Sequence, residues 1–181
     1  MNRAVFLDLN GILVEPVQIE SLSELQVLPG TFEAVHRLNK AGFLCPVVTV
    51  QSRIAKAYFS QPEFVTWFQT FACEAALKGA ELLGPYTCPH RFNKPCRCEK
   101  PKPHLYKQAA RDHLIDLSRS YVVGDTASDV IAASAFGGRG CLVKTGWGHF
   151  ENNQEAAKKV AAPIRQTLTE AVTWILSTEG H

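Results

Sequence analysis

No apolar run in this chain approaches the roughly 20 residues that a membrane-spanning helix requires, so no integral membrane protein is expected. The chain enters a strand-like run at once, which leaves no room for a secretory leader. A cytoplasmic location is expected. No charge of one sign dominates. A formal net charge of +2 gives no basic surface that would argue for nucleic acid. Internal repeats, low-complexity tracts and linkers are also missing. Residues 1–181 therefore read as a single domain, expected to act as a monomer. The six cysteines are too few and too uneven for a secreted disulfide scaffold. Cys45, Cys73 and Cys141 stand apart in apolar settings, while Cys88, Cys96 and Cys98 crowd one segment. That distribution fits a reducing compartment and one metal site.

The present features begin with Ala4-Val5-Phe6-Leu7-Asp8-Leu9-Asn10-Gly11. The apolar half reads as a strand buried on both faces. It ends on an acid, and Gly11 lets the chain turn sharply. In open α/β sheets, ligands bind just beyond the carboxyl ends of the strands. A second apolar run, Pro46 to Val50, ends in Thr49-Val50-Gln51-Ser52-Arg53. A strand-end hydroxyl followed by turn amides can grip phosphoryl oxygens. A third run, Ser120 to Val123, enters Gly124-Asp125, and Asp129 follows four residues on. Clustered carboxylates of this kind suit Mg²⁺.

Between the second and third runs lie Cys88-Pro89-His90 and Cys96-Arg97-Cys98. Three thiolates and one imidazole complete a tetrahedral zinc set. With four ligands in one loop, 88–98, no position stays open, so the zinc is expected to be structural. Glu99-Lys100-Pro101 follows directly, and the Lys100 ammonium could neutralise a phosphoryl group. Each piece has a plainer reading when taken alone. Asp8 could bond a turn, Lys100 could be solvated, and Asp129 could be a helix N-terminal acid.

Helices are expected from Thr31 to Gly42, from Ser60 (with Glu63 as a capping box) to Gly79, from Pro101 through Leu114, and from Ala127 to Phe136. A last helix is expected from Ile164 to Ser177, and a short one from Gln18 to Gln26. Further strands are expected at Glu81–Tyr86 and Cys141–Lys144. Around Val160 only a short apolar piece is legible. Trp147 either faces the cleft or packs.

Taken in order, these pieces resemble the four motifs of the haloacid dehalogenase superfamily. The zinc loop and the Thr145-Gly146-Trp147-Gly148 turn resemble its histidinol-phosphate and heptose-bisphosphate phosphatase subfamily. The resemblance implies an α/β fold with a Rossmann-like parallel sheet and no large cap domain. It implies phosphoryl transfer from a small phosphorylated metabolite. Asp8 would be the nucleophile, and Mg²⁺ would be held by Asp8, the Asn10 carbonyl and Asp125, with Asp129 in support. Thr49, Val50 and Lys100 would hold the phosphoryl group, with Gln51, Ser52, Arg53 and Glu99 near the substrate. The family's general acid/base Asp is Asn10 here, which cannot transfer a proton and would slow the reaction. Val50 and Arg53 also depart from the family pattern. Glu99 stands where the heptose branch carries an arginine, and a carboxylate there would repel a second phosphate. Three readings stay open for Asn10: an engineered substrate trap, a slow phosphatase or phosphotransferase, or a binding module. The several departures together favour natural divergence.

Overall fold

The computed structural model describes residues 1–92 and 94–180. Its centre is β1 (Arg3–Leu7). This strand pairs in parallel with β5 (Pro46–Val50) on one side and β7 (Tyr121–Gly124) on the other. The sheet continues through β6 (Leu83–Cys88) beyond β5, and through β8 (Arg139–Val143) and β9 (Ile164–Arg165) beyond β7. A two-residue strand, β4 (Phe43–Leu44), pairs with the start of β1. All seven strands run parallel.

The continuous apolar run of β1 follows from burial on both faces, because successive side chains of a strand point to opposite sides. Val5 and Leu7 pack with residues of α1 (Thr31–Lys40), α3 (Gln61–Leu77) and α7 (Leu168–Glu179), among them Leu38, Phe68 and Val172. Ala4 and Phe6 pack on the other face. There they meet Leu105 and Tyr106 of α4 (His104–His113) and Ala132 of α5 (Ala127–Ala135). Phe6 meets Tyr106 edge-on, with ring centroids 5.3 Å apart. A further helix, α6 (Glu151–Lys159), covers β8 through Ala157.

The sheet and most helices fall where the sequence places them, and the differences have local causes. Gln18 to Gln26 is not a helix. Val14–Glu15 (β2) and Gln26–Val27 (β3) form an antiparallel ribbon, and only a 3₁₀ turn, Leu22–Glu24, lies between. Ser21 and Glu24 cap each other's backbone there and exhaust the turn. The last helix starts at Leu168 because Thr167 caps it, while Ile164 and Arg165 pair with β8 as an edge strand. The strand read at Glu81–Tyr86 lies two residues later and ends on Cys88. The helix beginning near Pro101 stops at His113, and Leu114 is left-handed and exposed. Around Val160 the sequence hides a helix, since α6 buries only Ala157 and shows no apolar stripe. Cys73 is exposed on α3 rather than sitting in an apolar setting.

Candidate active site

The three middle strands β5, β1 and β7 end side by side, and their ends carry Thr49, Asp8 and Asp125. The Asp8 N–H still donates to the Val123 carbonyl, 3.0 Å away, so the sheet itself fixes Asp8. Lys100 reaches the same point from the segment after the zinc loop. Its Nζ lies 3.0 Å from Asp8 Oδ1 and 2.6 Å from Asp129 Oδ1. Only 3% of the lysine side chain is exposed, so the pair is screened little by solvent. Asp129 is fully buried and also accepts from the Thr126 hydroxyl at 2.6 Å. It therefore caps its own helix and anchors Lys100 at once.

Asp125 is held by the Trp147 N–H, 2.7 Å from its Oδ2. The carboxylate lies between two glycines of positive φ. A Cβ on Gly11 would come 2.4 Å from Asp125 Oδ2, and one on Gly146 would come 2.1 Å from it. Any side chain at either position would fill the space that Asp125 occupies.

Three acids and one lysine share this floor, which leaves a formal charge of −2 when all are ionised. One donor oxygen from each of Asp8, Asp125 and Asp129 lies within 4.8 Å of the other two. Burial pushes Asp8 up to about 6, with Asp129 adding to the rise and Lys100 opposing it. Burial, then the charges of Asp8 and Asp129, push Asp125 up to about 8. Burial alone would lower the Lys100 pKa, but Asp129 and Asp8 hold it well above the usual lysine value. A divalent cation suits this set, because it would relieve the mutual repulsion with hard oxygen donors.

Asn10 lies at the rim of the floor. Its Oδ1 accepts from Gln51 Nε2 at 2.8 Å, and its Nδ2 donates to the Pro16 carbonyl at 3.2 Å. Gln51 Nε2 also lies 3.0 Å from Thr49 Oγ1, so one buried amide links two strand ends. The same cleft, about 200 Å³, is lined by Val50, Ser52, Arg53 and Glu99, and by Trp147. The sequence-predicted site residues outside the zinc set therefore meet in one place, either on the floor or on its walls.

The zinc set forms its own cluster. Cys88 Sγ lies 3.8 Å from Cys96 Sγ and 3.6 Å from His90 Nδ1, and His90 Nδ1 lies 3.2 Å from Cys98 Sγ. Two sulfurs at tetrahedral zinc, each about 2.3 Å from the metal, would be about 3.8 Å apart. The four donors fit that geometry and, among the described residues, no fifth His, Cys, Asp or Glu joins the cluster.

Several lining residues had no legible signal. Gln18 and Val17 come from the connection between β2 and β3, Lys56 from the end of a short helix, α2 (Ser52–Ala55), and Phe92 from the zinc loop. All sit in irregular segments, where neither strand nor helix period marks a facing residue.

Comparison with known proteins agrees with this arrangement. The "HAD-hyrolase-like" family model matches residues 97–171. D-glycero-β-D-manno-heptose-1,7-bisphosphate 7-phosphatase of Vibrio cholerae serotype O1 is 38% identical over 172 residues, covering 90% of this chain and 92% of that protein. The chain belongs to the haloacid dehalogenase superfamily. Within it, curated relatives of the chain are named heptose-1,7-bisphosphate 7-phosphatases. The enzyme of that name from Pasteurella multocida is 33% identical over 177 residues, covering 91% of this chain and 94% of that one. The crystal structure of the D,D-heptose 1,7-bisphosphate phosphatase from B. bronchiseptica, complexed with magnesium and phosphate, superposes with a TM-score of 0.82. It is 25% identical and covers 97% of this chain and 99% of its own. Among the described residues, the haloacid dehalogenase sheet here carries no large cap, only the β2–β3 ribbon. No helix among the described residues is long and apolar enough to cross a membrane.

Proposed function

We propose that this chain is a magnesium-dependent phosphatase that hydrolyses a small phosphorylated sugar through an aspartyl-phosphate. The observation that carries the reading is the meeting of Lys100, Asp8 and Asp129 within hydrogen-bonding distance at the end of β1. Asp8 Oδ attacks phosphorus, and the bond from phosphorus to the leaving oxygen breaks. Lys100 and the Thr49 hydroxyl, with backbone amides after Val50, hold the phosphoryl oxygens and stabilise charge on them. Bound by Asp8, Asp125 and the Asn10 carbonyl, with Asp129 in support, Mg²⁺ would neutralise charge between the carboxylate and the incoming phosphate. Water then attacks the same phosphorus, the Asp8–phosphorus bond breaks, and inorganic phosphate leaves.

Asn10 changes the proton steps. Its amide can donate a hydrogen bond to the leaving oxygen but cannot give up a proton. The leaving oxygen must take its proton from water, and the attacking water finds no base at Asn10. The loss of a general acid/base typically costs about 10² to 10⁴ in rate. We therefore expect slow turnover and a long-lived phospho-Asp8. The zinc set Cys88, His90, Cys96 and Cys98 acts structurally, holding the segment that delivers Lys100. The site is complete within one chain, which supports action as a monomer. Cys88, Cys96 and Cys98 are assigned to zinc and Cys45, Cys73 and Cys141 lie outside any disulfide, a thiol pattern that suits a cytoplasmic location.

A panel of phosphate esters assayed with Mg²⁺, alongside Asn10→Asp, tests the reading. Phosphate release by both proteins is expected, faster in the variant, with label persisting on Asp8 of the unmodified protein and only transient in Asn10→Asp. Release by neither protein from any ester would leave the second reading, a phosphometabolite- or protein-binding module.

A further inference from the structure

The Lys100 ammonium has three hydrogens to place in a site almost closed to solvent. Two go to Asp8 Oδ1, at 3.0 Å, and Asp129 Oδ1, at 2.6 Å. A hydroxyl that the chemistry above does not use is packed into the same region. Tyr106, at the third position of α4, is fully buried, and among the described residues its Oη has no hydrogen-bond partner. An unpaired buried hydroxyl is destabilising, so its presence calls for a reason. The ring packs against Phe6 and Phe136, with centroids 5.3 Å and 5.4 Å away. Phe6 stands two residues before Asp8 on the central strand, and Ala132, three residues on from Asp129, lies in the same core. Burial pushes the phenol well above its usual pKa, Lys100 opposes that rise, and Asp129 and Asp8 add to it. The charges that act on Tyr106 are therefore those of the catalytic floor.

Asp8 Oδ1 also accepts from the Leu9 N–H at 2.8 Å. With Oδ1 engaged twice, Oδ2 is the oxygen left to attack phosphorus. Once the Oδ2–phosphorus bond forms and the bond to the leaving oxygen breaks, Oδ1 is the neutral carbonyl oxygen of an acyl phosphate. It then holds the ammonium less strongly than a carboxylate does. Lys100, still anchored on Asp129, turns toward the phosphoryl oxygens. We propose that Tyr106 is a positioning residue, whose hydroxyl accepts the remaining Lys100 hydrogen when Asp8 is phosphorylated and so fixes the ammonium against the phosphoryl group. This rests on the phosphatase reading and deepens it. Tyr106 touches no substrate and acts through Lys100. Its hydroxyl stabilises the phosphorylated form and does nothing for the free one.

The test compares the unmodified protein with Tyr106→Phe, which removes one oxygen and keeps the ring contacts with Phe6 and Phe136. Without ligand, the variant should melt no lower than the unmodified protein, since no bond is lost. The probe is beryllium trifluoride with Mg²⁺, which bonds to a carboxylate oxygen in the shape of a phosphoryl group. Its Kd, by calorimetry, should rise about tenfold to hundredfold in Tyr106→Phe, the worth of one hydrogen bond to a charged group. The Kd of inorganic phosphate with Mg²⁺ should barely change, because Asp8 is then still a carboxylate and keeps Lys100. With a labelled phosphate ester, the fraction of protein carrying label on Asp8 should fall in the variant. Equal beryllium trifluoride affinity in the two proteins would overturn the proposal. So would a lower melting temperature with equal losses for both ligands, which marks a purely structural hydroxyl. If no ester labels Asp8 or releases phosphate, the phosphatase reading fails instead. Beryllium trifluoride then decides the role of Tyr106: weaker binding in the variant supports it, and equal binding or none refutes it.

Discussion

Gln51 donates its side-chain amide to Asn10, with 2.8 Å between Nε2 and Oδ1. A carboxyl group at position 10 could accept the same bond and, when protonated, donate to the Pro16 carbonyl as Asn10 Nδ2 does, so the surroundings of Asn10 accommodate the protonated acid. Asn10→Asp should therefore fold normally and raise kcat by about 10² to 10⁴, the usual worth of a general acid/base. Steady-state phosphate release from a responsive ester measures it. An unchanged rate would mean that proton transfer at position 10 does not limit turnover.

Lys100 is the group whose removal should hurt most. It sits buried between Asp8 and Asp129. Lys100→Met leaves those acids without their cation, and stripping one partner from a buried ion pair costs about 3–5 kcal/mol. Urea denaturation should show that loss in a metal-free sample, together with loss of phosphate release. Saturating Mg²⁺ should restore part of the stability but not the activity.

Gly11→Ala and Gly146→Ala should each lower stability and phosphate release together. The added methyl would meet Asp125 Oδ2 at 2.4 Å or 2.1 Å, on backbone of positive φ. A forced αL alanine alone costs roughly 1–2 kcal/mol, and displacement of Asp125 adds to it. Thermal melts and Mg²⁺ titration by calorimetry would read the two effects separately. Gly137→Ala is the control. Its φ is also positive, but no atom lies within 4 Å of the added methyl, so it should cost stability alone.

Zinc should co-purify at one per chain and resist dialysis. Removing it with a strong chelator, or replacing Cys98 with Ser, should lower the melting temperature. Phosphate release should fall with it, because Cys98 lies two residues before Lys100. Added Mg²⁺ should not rescue either loss. Elemental analysis and a melt series measure both.

The chemical floor was legible because its residues sit where regular structure ends. Asp8, Thr49 and Asp125 follow apolar runs that could only be buried strands. Cys88, His90, Cys96 and Cys98 betray themselves by spacing alone. The walls were not legible in the same way. Gln18, Lys56 and Phe92 belong to irregular segments, and their facing depends on contacts distant in sequence. The helix expected over Gln18–Gln26 became a ribbon because Val14 and Val27, far apart in sequence, pair as strands. The helix at Glu151–Lys159 escaped notice because it buries a single alanine.

β1 has no solvent face: Val5 and Leu7 are locked into one core, Ala4 and Phe6 into the other. The reacting carboxylate is thus mounted on the least deformable part of the molecule. The cleft walls belong to the end of β5, the short helix α2 and the segment after the zinc loop, outside the β1 mount. Val50, Arg53 and Glu99, the departures from the family pattern other than Asn10, lie on those walls. Such an arrangement lets ligand preference wander through sequence change while the phosphorus-handling machinery stays where it is.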